Sequence, residues 1–199
     1  MVPTVRRAGV AMVQVLLGIA TAIAGCASTE MTHTWTDPNA KGKSLQKVAV
    51  IVMAKDPGLR RMGEDTAVTQ LAGAQAVPSY QVLADTDLRN MDAVKAKLAE
   101  QGFQGALVMR LAGVTEQVSP VTYGTFDGYY GWAAGSVYGP AYLETDTIVH
   151  VISTLYALPD GKLIWSGASK TFDPTSARQV VGDVSHAVAK ELQKDRLIL

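Results

Sequence analysis

This chain predicts one α/β (α+β) domain, a mixed sheet of about five strands with helices packed on it, in the order β-α-β-α-β-β-β-α. Three observations lead there. "KVAVIVMA", from Lys47 to Ala54, and the start of "GALVMRLAGVTEQV", from Gly105 to Val118, are strand-length and nearly all apolar, as strands covered on both faces are. The segments between them carry apolar residues at helical spacing. Asp160-Gly161 separates two β-rich runs, a strong hairpin signal.

In chain order, Pro57-Gly58 ends the first run. Arg60 to Ala72 reads as a helix with Met62, Val68 and Leu71 inward. Ser79 to Leu83 reads as a second, short strand after Pro78. Asp85 or Asp87 is placed to cap a second helix carrying Leu88, Met91, Val94 and Leu98, which Gly102 ends. Gly105–Val118 is the third strand, Asp146–Ala157 the fourth and Leu163–Phe172 the fifth. Asp173-Pro174 then opens a last helix, with Val180, Val184, Val188 and Leu192 in its apolar stripe. Two crossovers imply a parallel portion, and the hairpin adds antiparallel strands.

The N-terminus has its own order. Arg6 and Arg7 precede an apolar run from Val10 to Ala24, and Gly25-Cys26 comes next. That is a positive region, an apolar region and a small-residue cleavage site. The run falls short of the ~20 residues a membrane-spanning helix needs, so residues 1–25 are expected as a signal peptide. Ile23-Ala24-Gly25-Cys26 resembles the bacterial lipobox. The resemblance implies cleavage before Cys26, a diacylglyceryl thioether on its sulfur and an acyl group such as palmitate on the new amine. Two or three chains anchor firmly where one holds marginally. Ala27 fits the lipoproteins sent on to the outer membrane, so the expected location is its periplasmic face. A free cysteine is otherwise most often a buried core residue, but Cys26 precedes a polar stretch. Twin-arginine export is a poor match to Arg6-Arg7-Ala8-Gly9.

The chain has 18 basic and 18 acidic residues. Loss of residues 1–25 removes Arg6, Arg7 and no acid, leaving 16 basic against 18 acidic. This balance excludes a nucleic-acid footprint. Residues 26–46 read as a polar tether, with Trp35 either docked on the domain or near the lipid surface. Residues 47–199 read as the single α/β domain, with a Gly/Tyr-rich insertion at 119–143.

"TWTDP", "KVAVIVMAKDP", "RRMGEDTAVTQL", "AVPSYQVL", "GFQGALVMRL" and "DGKLIWSG", together with the lipobox and the closing helix, resemble a family of uncharacterised bacterial lipoproteins. The element order is similar to the N-terminal domain of the Tol-Pal propeller protein. Related domains occur in the curli secretion channel lipoprotein and in lipoprotein activators of penicillin-binding proteins. These resemblances imply envelope assembly or partner binding, a fold-level analogy.

No catalytic motif emerges, and no enzyme activity, metal or cofactor is expected. His33, His150 and His186 have no second histidine or acid at metal-ligand spacing. His150 reads as a hydrogen-bonded core or interface residue. Ser44-Leu45-Gln46-Lys47 matches Ser-x-x-Lys but precedes a strand rather than opening a helix. Arg60 and Glu64, and Arg61 and Asp65, are four apart and are expected to pair on the helix surface. Arg110, inside an apolar strand, is expected to pair with an acid of that helix.

The segment Thr122–Tyr142, "TYGTFDGYYGWAAGSVYGPAY", departs from the rest. It holds Tyr123, Phe126, Tyr129, Tyr130, Trp132, Tyr138 and Tyr142, five glycines and one charge, Asp127. Three readings stand. It folds over the domain's own surface, or it is a contact surface for an envelope protein, a second copy or peptidoglycan glycan, or it is a membrane-inserting hairpin of a curli-channel-like oligomer. The favoured function is a lipid-anchored, non-enzymatic binding or assembly module. The alternative is an envelope hydrolase or glycan-processing enzyme using Asp127 and Glu144, which a carboxyl separation well beyond ~10 Å rules out.

Overall fold

The computed structural model describes residues 29–121 and 142–199. Six strands form one mixed sheet. They are β1 (Thr29–Thr36), β2 (Lys47–Met53), β3 (Gln75–Pro78), β4 (Gly105–Val121), β5 (Tyr142–Ala157) and β6 (Lys162–Phe172). Helices α1 (Pro57–Gln70), α2 (Met91–Glu100) and α3 (Ala177–Lys194) pack on it. Across the sheet the order is β1-β6-β5-β4-β2-β3. β2, next to the β3 edge, pairs in parallel with β3 and β4, and the other neighbours are antiparallel. The fold is thus the expected α+β domain, with six strands.

The additional strand lies in the stretch expected as tether. Thr29–Thr36 pairs along β6 from Thr29↔Thr171 to Thr36↔Trp165. The residues between β1 and β2 are docked as well. The buried Asp37 accepts the Asn39 N–H at 2.9 Å and pairs with Lys162, Ala40 lies in the core, and the Leu45 N–H donates to the Leu197 carbonyl at 2.8 Å. The physical reason is the free edge that β6 offers. Backbone pairing is indifferent to polar side chains, and threonine suits a half-buried pleat.

Other boundaries shift for local reasons. The second crossover strand is Gln75–Pro78, and Ser79–Gln81 is a 3₁₀ turn where a strand was expected. Pro78 has no N–H to extend the ladder, and Glu64 claims both the Ser79 hydroxyl and the Tyr80 N–H. Asn90, not an aspartate, caps α2, accepting from the Asp92 and Ala93 N–H groups. Asp87 instead accepts the Ala84 N–H and holds Lys97. Ser176 caps α3 by accepting the Gln179 N–H, while Asp173 accepts the Thr147 N–H. The Asp160-Gly161 hairpin is present, with Gly161 at φ +68°.

The sheet has two unequal cores. On one face α1 and α3 cover Val50, Leu107, Leu155 and Trp165, all fully buried. On the other, α2 covers only the β2–β4 side, setting Val94 and Leu98 over Ala49, Ile51 and Ala106. Gly167 makes room for Trp165: a Cβ there would lie 2.4 Å from the indole and 2.6 Å from Met31.

Candidate functional site

Past the helices, β4 and β5 continue as a two-stranded arm, paired without a break in the ladder's direction to Val121↔Tyr142. A bulge between Leu111 and Gly113 marks its root. One extra residue there brings Leu111 and Val114 to the same side. From Val114 the side chains alternate, so Val118 returns to that side.

The first turns of α1 and α3 flank the root without covering it. An apolar groove of about 430 Å³ results, within the ~300–1,000 Å³ range of ligand pockets. Met109, Val151, Val180 and Val184 lie at its inner end, Leu59 and Met62 come from α1, Ala177 and Val181 from α3, and Leu111, Val114 and Val149 from the arm. Polar groups reach it from Thr147, Thr175, Ser176 and Arg110. Met53, Leu59, Leu111, Val114 and Val118 are each 49–58% exposed. Met53, Leu59, Leu111 and Val114 share the groove, and Val118 stands further along the same side of the arm, an exposed apolar surface of the kind that marks binding sites on soluble domains.

The groove is absent from the expectations above, in which Gly105–Val118 is one strand and nothing marks where the helices stop. The available signal was Gly113, since a glycine inside a strand pattern suggests a bulge.

The residues singled out from the sequence are dispersed. Cys26, Tyr123, Phe126, Tyr129, Tyr130, Trp132, Tyr138 and Asp127 lie outside the described residues. Tyr142 opens β5 opposite Val121, and Glu144 stands opposite Ser119. His33 and His186 are exposed. His150 is partly exposed on β5, its Nε2 3.0 Å from the Thr115 Oγ1, a hydrogen-bonded residue on the open sheet face. Trp35 is 44% exposed and opposes Ser166 of β6, so it docks only in part. Among the described residues no group of three or more His, Cys, Asp or Glu could hold a metal. Among them, too, no helix is long and apolar enough to cross a membrane.

The conspicuous ionic cluster is structural. Arg60 and Glu64 do pair, at 2.9 Å, but inside the protein rather than on the helix surface, at 5% and 0% side-chain exposure. Glu64 also accepts the Ser79 hydroxyl at 2.7 Å, the Tyr80 N–H at 3.0 Å and the Val52 N–H at 3.2 Å. β3 stops opposite Val50, so the carboxylate stands in for a missing strand at Val52. Arg60 further donates to Asp85 and, at 2.8 Å, to the Ser79 hydroxyl. The expected Arg110 pairing with this helix is therefore corrected. Glu64 is occupied by Arg60, Asp65 accepts the Tyr80 hydroxyl at 2.7 Å, and Arg110 is exposed on β4. An exposed guanidinium is solvated and needs no buried acid. The Asp65 contact holds the Tyr80 phenol above its usual range. Arg61 lies over the Tyr80 ring, 5.6 Å from its centroid, rather than beside Asp65.

No family model matches the chain, and no curated protein matches it. Solved structures resemble it only distantly. A PelC dodecamer from Paraburkholderia phytofirmans is 13% identical, with 87% of this chain and 100% of that chain covered and a TM-score of 0.47. Lipoprotein GNA1162 from Neisseria meningitidis is 15% identical, with 74% and 96% covered and a TM-score of 0.41. Likeness this distant leaves the function of the chain to its own geometry.

Proposed function

We propose that this protein is a lipid-anchored, non-enzymatic binding or assembly module of the bacterial envelope. Cys26 carries the anchor on the periplasmic face of the outer membrane. The observation that carries the reading is the open apolar groove at the root of the arm. Its lining is aliphatic on three sides, and a domain exposing such a surface gains by covering it. The aromatic residues of Thr122–Tyr142 extend the contact surface, toward an envelope protein, a second copy or peptidoglycan.

The anchor is tested by feeding cells labelled palmitate and fractionating their membranes. Wild type is expected to carry label in the outer-membrane fraction, and Cys26→Ser to carry none. Label persisting in Cys26→Ser, or absent from both, overturns the anchor. The binding role is tested with Leu59→Asp/Val114→Asp in an acylated background. The variant is expected to stay folded and labelled but to lose the partner contacts of the wild type. Unchanged contacts overturn the groove as the binding surface.

A further inference from the structure

We propose that the apolar strip of Leu59, Leu111, Val114 and Val118 seats against the hydrocarbon of the membrane that holds Cys26. This deepens the proposed function and rests on its lipid anchor. One row of residues across the sheet sets the geometry. Thr29 opposes Thr171, Thr171 opposes Val149, and Val149 opposes Val114. The start of β1 and the root of the arm are therefore at the same end of the molecule.

From Thr29 the chain returns to Cys26 in three residues, at most about 11 Å of extended backbone. From Val114, β4 runs seven residues further to Val121, about 23 Å at strand rise, and β5 returns over the same length from Tyr142. Measured from the common row, the arm reaches about twice as far as the anchor's tether. The polar layer of a bilayer is only roughly 5–8 Å deep on each side. An upright body drives the end of the arm through that layer, and a body tilted toward its α1/α3 face, the side on which Leu59, Leu111 and Val114 line the groove, brings the strip down to it.

The chemistry of the strip agrees with the geometry. Leu111, Val114 and Val118 are 55–58% exposed and aliphatic; the first two line the groove beside Leu59, and Val118 follows on the same side of the arm. A hydrocarbon surface needs no matching hydrogen-bond donors and acceptors, and these side chains offer none. The tether also holds this occupant at a high effective concentration, as no free partner is held.

The test uses the full-length acylated protein. A thioether at Cys26 leaves no other thiol in the chain, so Val118→Cys and, separately, Leu111→Cys can be labelled singly with bimane. The control is Asp160→Cys, on the exposed β5–β6 turn at the opposite end. Vesicles of phosphatidylethanolamine and phosphatidylglycerol with brominated acyl chains serve as the probe. Quenching at 118 and 111 is expected to exceed that at 160 by about threefold or more, as for side chains buried in the acyl boundary. Equal quenching in protein that floats with the vesicles overturns the inference and leaves the anchor standing. Protein that does not float, with Cys26 unmodified by mass spectrometry, overturns both. A blue shift without bromine quenching that grows with protein concentration assigns the strip to a second copy and also overturns it.

Discussion

Gly105–Arg110 and Leu111–Val118 are consecutive halves of one strand with opposite fates. In the first, Leu107 is 0% and Met109 3% exposed. In the second, Leu111, Val114 and Val118 are 55–58% exposed. Both halves pair with β5 throughout, and both are rich in aliphatic residues. What separates them is the length of the helices. α1 and α3 begin at Pro57 and Ala177, near the bulge, and nothing among the described residues covers the strand beyond it. Apolar character thus serves the fold in one half and is left for an outside contact in the other.

The largest effect is expected where the buried half is fastened. Glu64→Ala leaves the Arg60 guanidinium buried and frees the Val52, Ser79 and Tyr80 donors at once. A loss of about 3–5 kcal/mol is expected in urea unfolding, and a loss under 1 kcal/mol would show that water and its existing Asp85 contact are enough for Arg60. The two halves themselves come next. Leu107→Ala should cost about 2–5 kcal/mol, whereas Leu111→Ala in unanchored protein should stay within about 0.5 kcal/mol. Similar losses at the two sites would make the arm part of the fold.

The smallest effect concerns acid. The Lys162 ammonium, with the Asn39 N–H, holds the Asp37 carboxyl below its ordinary range. The Thr36 hydroxyl does the same for Asp195. A lowered folded-state value adds stability above about pH 4, where the unfolded carboxyl is also ionised, and that stability is lost as pH falls through the lowered value. Thermal unfolding of Asp37→Asn should therefore fall less steeply below pH ~4 than wild type. An unchanged slope would remove Asp37 from the acid response.

Much of the fold was legible because core signals are local. "KVAVIVMA" is a covered strand, and Val180, Val184, Val188 and Leu192 recur on the buried face of α3. Asp-Gly makes the β5–β6 turn. β1 was not legible, because Thr29–Thr36 has the composition of a tether and is a strand only through the free edge of β6. The groove was not legible, because it depends on where three distant segments stop rather than on what any one contains. The fate of Arg110 has the same cause, since its strand leaves cover just where it lies. The two candidates that rested on motif and composition, Cys26 and the Tyr123–Tyr142 aromatics, fall outside the described residues or, for Tyr142, at their margin.

Amide hydrogen exchange across β4 tests the division between the two halves most directly. Beyond Arg110 the strand has no β2 partner, so those of its amides that do not bond to β5 are open to solvent. In acylated protein on vesicles, amides of residues 111–118 should exchange several-fold more slowly than in the Cys26→Ser protein in buffer, while residues 105–110 exchange alike in both. Identical exchange of 111–118 in the two preparations would contradict the account.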